Sequence, residues 1–264
     1  MEIKEIVGVG KKFVIGMVHC LPLPGTAAYD GDSRRIFKQA VEDAKTLEES
    51  GVDAVIVENM GDTPFSIKLS TAQISALSTA VAKVRETVKI PIGVDAAFND
   101  YEASIAIAHI NGCQFVRIPV FVDTVLFTDG IINPCARECL LYRKNMGALN
   151  LMILGDVQVK HTHNLISQVP IEESAKNAAD CGADAVIITG STVGAETPIE
   201  MIAKAKKVVK IPVIAGSGVN AKNINEQLNI ADGAIIGSSL KKDGIITNPI
   251  SGELVRGVLQ NLHR

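Results

Sequence analysis

Several residues able to carry protons or bind oxyanions stand at the ends of short apolar runs. His19 follows FVIGMV, Glu58 follows AVIV, Asp95 follows PIGV and Asp156 follows MILG, while Arg117 lies inside FVRIPV. Carboxylates and imidazole are the usual general acids and bases. Lys160 and His161 come four and five residues after Asp156. A lysine in such company stabilises an oxyanion or, as a second option, forms a Schiff base. His19, Glu58, Asp95, Asp156 and Lys160 are therefore the candidate catalytic set. The same region also offers nitrogen and oxygen ligands for Zn²⁺ or Mn²⁺ in His19, Glu58, Asp95, Asp156 and His161. The lack of an H-x-H pair on the first run counts against that divalent-metal reading.

A second group of residues suits phosphate. IAGSGVN (214–220) and IIGSSLKKDG (235–244) place Gly216, Ser217, Gly218, Gly237 and Ser238 where backbone N–H groups can approach an anion. ITGSTVGAETP (188–198) adds Thr189, Gly190 and Ser191, with Thr192 and Gly194 beyond them. Ser191 and Thr192 serve equally well as helix N-caps. Asn59 and Arg117 complete the candidate binding set. Taken singly, Asp95 and Arg117 are as compatible with a structural ion pair.

These residues need a scaffold that brings distant chain segments together. Eight apolar runs recur along the chain: 12–19, 51–59, 90–95, 112–120, 151–156, 182–190, 211–218 and 230–238. They alternate with helix-periodic segments at 33–50, 70–88, 101–111, 134–146, 171–181, 198–209, 221–229 and 251–263. In the first segment Ile36, Ala40, Val41, Ala44 and Leu47 share one face, opposite Arg34, Lys38, Glu42, Lys45 and Glu49. Runs that are apolar on both faces belong to a parallel sheet covered by helices. Eight such units in 264 residues predict a single α/β domain over 1–264, a (β/α)₈ TIM barrel. In that fold chemistry sits at the C-terminal ends of the strands, and phosphate sits after strands 7 and 8. Period-two alternation puts His19 on the face of Ile15 and Met17, and Glu58 on that of Ala54 and Ile56. Four extended residues span about 13 Å, so Lys160 and His161 read as loop residues beyond Asp156.

Composition removes other classes. With 26 Lys and Arg against 29 Asp and Glu and no basic tract, a nucleic-acid partner is not expected. The first residues, MEIKEIVGVGKKFVIGM, alternate charged with apolar positions, so neither a leader nor membrane insertion is expected and the location expected is cytoplasmic. Five cysteines (20, 113, 135, 139 and 181) without a C-x-x-C pair read as reduced core thiols. Cys135 and Cys139 lack further ligands at metal spacing. His109 and His263 read as surface or packing residues on predicted helices.

The chain resembles the BtpA/SgcQ family nearly end to end. The segments carrying the resemblance are HCLPLPG (19–25), VENMGDTPF (57–65), GVDAAFND (93–100), FVRIPV (115–120), DVQVKH (156–161), ADAVIITGSTVG (183–194), IAGSGV (214–219) and ADGAIIGSSLKKDG (231–244). The resemblance implies a ribulose-phosphate-binding-like barrel. It also implies a link to photosystem I accumulation in one relative and a place among sugar-uptake genes in another. The chain departs from the family pattern at Asp95, more often Asn, at Phe98, more often Arg, and at Pro119, commonly Asn.

Three functions follow as expectations. The first is an isomerase or lyase of carbohydrate or nucleotide metabolism, acting on a sugar or nucleoside phosphate and working as a homo-oligomer. The second is a non-catalytic factor that binds a ligand and assists complex assembly. The third is a metal-dependent hydrolase.

Overall fold

The computed structural model describes residues 3–165, 168–190 and 196–263. Its centre is a closed barrel of eight parallel strands. In chain order these are β1 (Phe13–His19), β2 (Ala54–Glu58), β3 (Ile92–Asp95), β4 (Phe115–Ile118), β5 (Met152–Val157), β6 (Ala185–Ile188), β7 (Val213–Ala215) and β8 (Gly233–Ile236). Each strand pairs with its chain neighbours, and β8 closes on β1 through Phe13 opposite Gly233 and Ile15 opposite Ile235. This is the predicted TIM barrel. Around it lie α1 (Ser33–Glu49), α2 (Thr71–Thr87), α3 (Tyr101–Ile110), α4 (Ala136–Asn145), α5 (Ile171–Asp180), α6 (Ile199–Val208), α7 (Ile224–Leu228) and α8 (Gly252–Gln260). None of the described helices is long and apolar enough to cross a membrane.

Alternation along the strands sorts the apolar residues into two cores. Val14, Val18, Val55 and Val57 face outward and pack with Ile36, Ala40, Ala44 and Leu47 of α1. Phe13, Ile15, Met17, Ala54, Ile56, Phe115, Met152, Leu154, Ala185, Ile187, Ile214 and Ile235 fill the barrel, joined by Ile6 and Val7 from the turn before β1. Two glycines make that filling possible. A Cβ on Gly93 would lie 2.2 Å from the Phe115 ring, and one on Gly233 would lie 2.2 Å from the Phe13 ring. Each glycine thus admits a phenyl group whose full burial stabilises the fold by roughly 1.5–3 kcal/mol.

The α1 face holds one residue that apolar periodicity did not reveal. Asp43 is buried, and its Oδ2 accepts from Lys241 Nζ at 2.6 Å while its Oδ1 accepts from Ile250 N at 2.7 Å. The pair pins the segment after β8 to α1. Cys20, Cys113, Cys135 and Cys139 are buried as expected, but Cys181 is exposed, because it caps α5 at a surface turn. Burial pushes the Cys20, Cys113 and Cys135 thiols up to about 12, away from nucleophilic use.

The β4–α4 connection contains structure of its own. Val125–Phe127 pairs antiparallel with Gly130–Ile132 and with His163–Asn164 from beyond β5. The inner face of this small sheet contributes Val125, Phe127 and Ile132 to an apolar cluster with Phe98, Val120 and Val159. The Phe98 and Phe127 rings stack with centroids 4.0 Å apart. The cluster walls one side of the barrel mouth.

Candidate active site

The inward face that is apolar inside the barrel becomes polar where the strands end. One step beyond Met17 stands His19, beyond Ile56 Glu58, beyond Gly93 Asp95, beyond Phe115 Arg117, and beyond Leu154 Asp156. The register aligns His19 with Glu58 and Glu58 with Asp95. His19, Glu58, Asp95, Arg117, Lys160 and His161 all line one open-mouthed cavity. Gly216, Ser217, Gly218, Gly237 and Ser238 line the same cavity, so residues from the catalytic and phosphate sets meet in one pocket.

The charged wall is tightly coupled. His19 Nε2 lies 3.3 Å from Glu58 Oε2. Burial pushes Glu58 up, but the hydrogen bond and charge of His19, with Arg117 and Lys160, outweigh it and leave the carboxyl below its ordinary value. Asp95 is 1% exposed and meets Arg117 Nη1 only at 3.7 Å. Burial, reinforced by the Glu58 and Asp156 charges, holds Asp95 well above the usual carboxylate range against the pull of Arg117 and Lys160. Among the described residues Asp95 Oδ1 and His19 Nδ1 are both buried without a hydrogen-bond partner.

Asp156 occupies a different place from that expected of a proton carrier. It is 0% exposed and does not line the cavity. Both of its carboxylate oxygens are taken by Arg117, Nε donating to Oδ1 at 2.8 Å and Nη2 to Oδ2 at 2.7 Å. β4 and β5 are neighbours, and the guanidinium fork matches a carboxylate edge to edge. Asp156 is therefore the residue that orients Arg117. The metal reading draws no support from this geometry. Arg117 already brings positive charge to Asp95 and Asp156, and among the described residues no three His, Cys, Asp or Glu side chains gather as a metal would require.

Three other candidates are engaged in hydrogen bonds between loops. Asn59 is buried, accepts from Ala97 N at 2.7 Å and donates to Ala97 O at 2.8 Å, which fixes the loop after β3. Thr189 Oγ1 accepts from Lys160 N at 2.9 Å. Gly190 N donates to Ser217 Oγ at 2.7 Å, tying the β6 loop to the β7 loop. Ser191, Thr192 and Gly194 lie outside the described residues.

Two of the glycines have reasons other than ligand approach. A Cβ on Gly216 would sit 2.4 Å from Ile187 Cγ2, and one on Gly237 would sit 2.8 Å from His19 Cε1. Gly237 thus makes room for the catalytic candidate across from it. Gly218 adopts φ 68°, a conformation that glycine takes without strain. A single 3₁₀ turn, Ser238–Leu240, starts directly after Gly237. The N–H groups of Gly218 and Ser238 donate to no described backbone carbonyl, so the corner retains donors for an anion.

Beyond Phe98 and Pro119, which the family resemblance marked, the sequence did not single out the apolar half of the lining, which also includes Met60, Phe65, Val159 and Ile246. Met17 and Ile235 form the floor, and their strand parity was a usable signal. Phe65 and Phe98 stand in loops, where no periodicity marks them.

Comparison with known proteins settles the family. The BtpA family profile matches residues 10–264. The chain belongs to that family. A Pyrococcus furiosus protein is 39% identical over 244 residues, 92% of each chain. The Synechocystis sp. photosystem I biogenesis protein BtpA is 34% identical over 240 residues, 90% of this chain and 83% of its own. Among solved structures, N-(5′-phosphoribosyl)anthranilate isomerase from Pyrococcus furiosus superposes with a TM-score of 0.58, covering 95% of this chain and 98% of its own at 17% identity, a likeness of fold. All three departures from the BtpA family pattern, Asp95, Phe98 and Pro119, line the cavity.

Proposed function

We propose that the protein is an enzyme that moves protons on a small phosphorylated metabolite, in an isomerase or lyase reaction. The observation that carries this reading is that His19 Nδ1 and Asp95 Oδ1, buried without a hydrogen-bond partner among the described residues, belong to two side chains that line the cavity exposing the β7 and β8 loops. An unsatisfied buried polar group costs roughly 1–3 kcal/mol, a cost characteristic of sites that a ligand completes.

Each wall has a part in the proposed reaction. The loops at Gly216–Gly218 and Gly237–Ser238 hold the phosphate, as the corresponding loops do in many TIM barrels. Phe65, Phe98, Pro119 and Val159 cover the organic portion. Asp95, whose carboxyl burial and the Glu58 charge push well above the usual range, donates to a substrate oxygen, and the His19–Glu58 pair accepts a proton. Arg117, held by Asp156, faces the negative charge that develops beside Asp95. Support also comes from the phosphoribosyl group in the name of the structurally similar isomerase.

The name of the Synechocystis relative favours a second reading, a ligand-binding factor without catalysis. A thermal-shift panel of sugar and nucleoside phosphates, followed by solvent-deuterium exchange into whichever ester binds, tests both. A ligand at 100 times its Kd stabilises by about 2.7 kcal/mol, a readily measured shift. Under the enzyme reading deuterium enters the ester with the wild type and not with Asp95→Asn. Binding without exchange supports the second reading, and the absence of binding refutes both.

A further inference from the structure

We infer that Lys160 is a nucleophile that captures an aldehyde or ketone carbon of the substrate as an imine, so that the metabolite is a phosphorylated carbonyl compound. The inference rests on the reading above for the phosphate and on Lys160's own surroundings for the carbonyl.

A lysine among three acids would ordinarily be an ion-pair partner, but each acid is already engaged. Asp156 is held bidentately by Arg117, Asp95 faces Arg117 Nη1 at 3.7 Å, and Glu58 faces His19 at 3.3 Å. Among the described residues no carboxylate lies within ion-pair distance of Lys160 Nζ. Lys160 instead shares the cavity with a second cation, Arg117. Burial and then Arg117 hold its ammonium below the ordinary lysine range, while Glu58, Asp156 and Asp95 oppose them. Desolvation and a neighbouring cation are the two devices that produce a neutral, nucleophilic lysine.

The backbone is shaped around this residue. Gln158 and His161 flank it at φ 48° and φ 67°, left-handed conformations that non-glycine residues seldom adopt. Thr189 Oγ1 accepts from Lys160 N, and Thr162 Oγ1 donates to Val159 O across the turn. Strained residues fixed by such hydrogen bonds cluster at sites where a side chain must be aimed.

The chemistry closes on groups already present. The Nζ lone pair bonds to the carbonyl carbon while the carbonyl oxygen takes the proton of Asp95. The nitrogen passes a proton to the His19–Glu58 pair, giving a carbinolamine. That proton returns to the hydroxyl, which leaves as water while the nitrogen lone pair forms the C=N bond. The sum is Lys–NH₂ + R₂C=O + H⁺ → Lys–NH⁺=CR₂ + H₂O, the proton being that of Asp95. The iminium acidifies the adjacent carbon, and Asp95, now a carboxylate beside Arg117, is placed to take a proton from it.

Borohydride trapping tests the proposal. The wild-type protein is incubated with glyceraldehyde 3-phosphate, reduced at pH 7 and mapped by peptide mass spectrometry, with the surface lysines as internal controls. The expected adduct, the aldehyde less one oxygen atom, forms on Lys160 faster than on any other lysine, since a lowered pKa leaves more free amine at neutral pH. It is absent from Lys160→Arg. Labelling spread over surface lysines, or Lys160 labelled no faster than they are, overturns the proposal. Unphosphorylated glyceraldehyde separates the two readings. If it labels Lys160 as fast as the phosphate ester does, the imine stands and the phosphate corner fails. If inorganic phosphate raises the melting temperature while Lys160 stays unlabelled, the phosphate corner stands and the imine falls.

Discussion

Replacing Asp156 with Asn tests whether this residue orients Arg117. Asp156 is fully buried, and its two oxygens accept at 2.8 and 2.7 Å from one guanidinium. An Asn keeps one acceptor, but its amide nitrogen turns a donor toward Arg117 Nη2 and the buried guanidinium loses its counter-charge. Removing one partner of a buried pair costs about 3–5 kcal/mol. The hydrogen bond that Asn retains places this case at the lower end, about 3 kcal/mol. For a chain of this size that corresponds to a melting temperature lower by about 6–10 °C. The assay is differential scanning calorimetry of Asp156→Asn, Arg117→Met and the double variant Arg117→Met/Asp156→Leu. Apolar replacement of both partners should recover most of the lost stability, because no unpaired charge is left buried. It should not recover binding of a phosphate ester, because the oriented cation is gone. A loss below about 2 °C in Asp156→Asn, or restored ligand binding in the double variant, would show the reasoning to be wrong.

Other outcomes follow from the same geometry. Asp95 takes up its proton in the folded state at a pH where the unfolded chain has lost it, so the stability it contributes is present below about pH 4 and lost as pH rises through its raised pKa. Asp95→Asn should therefore gain melting temperature relative to wild type as pH rises above about 4, and a pH-independent difference contradicts the assignment. Gly237→Ala places a Cβ 2.8 Å from His19 Cε1 and should displace the imidazole, weakening catalysis at least tenfold with the circular dichroism spectrum retained. Unchanged turnover would mean that His19 is not a catalytic group. Lys241→Met leaves Asp43 buried and uncompensated, so a loss of about 3–5 kcal/mol is expected in urea unfolding, with faster hydrogen exchange in 238–251. Wild-type exchange there would show that the Lys241–Asp43 pair does not pin this segment.

Much of this site follows from strand parity. Once the apolar residues at 15 and 17, 54 and 56, or 152 and 154 are taken as interior, the next inward positions are His19, Glu58 and Asp156. What parity does not give is the partner across the strands. Asp156 and Arg117 become a closed pair only when β4 and β5 are set side by side, and that register turns a proton-carrier candidate into an orienting residue. The small sheet at 125–132 and 163–164 has strands of two and three residues, too short for any period, and one member lies some thirty residues downstream. Gly216 and Gly237 show a third limit. Glycine at a strand end announces a close approach, but only the structure shows that Ile187 and His19 make it.

The central claim is that the corner between β7 and β8 holds a phosphate opposite the His19–Glu58–Asp95 wall. A crystal structure of the protein soaked in inorganic phosphate tests it most directly. The account predicts an ion accepting from the N–H groups of Gly218 and Ser238, inside the cavity lined by Arg117 and Lys160. Phosphate bound elsewhere while that corner stays empty would contradict it.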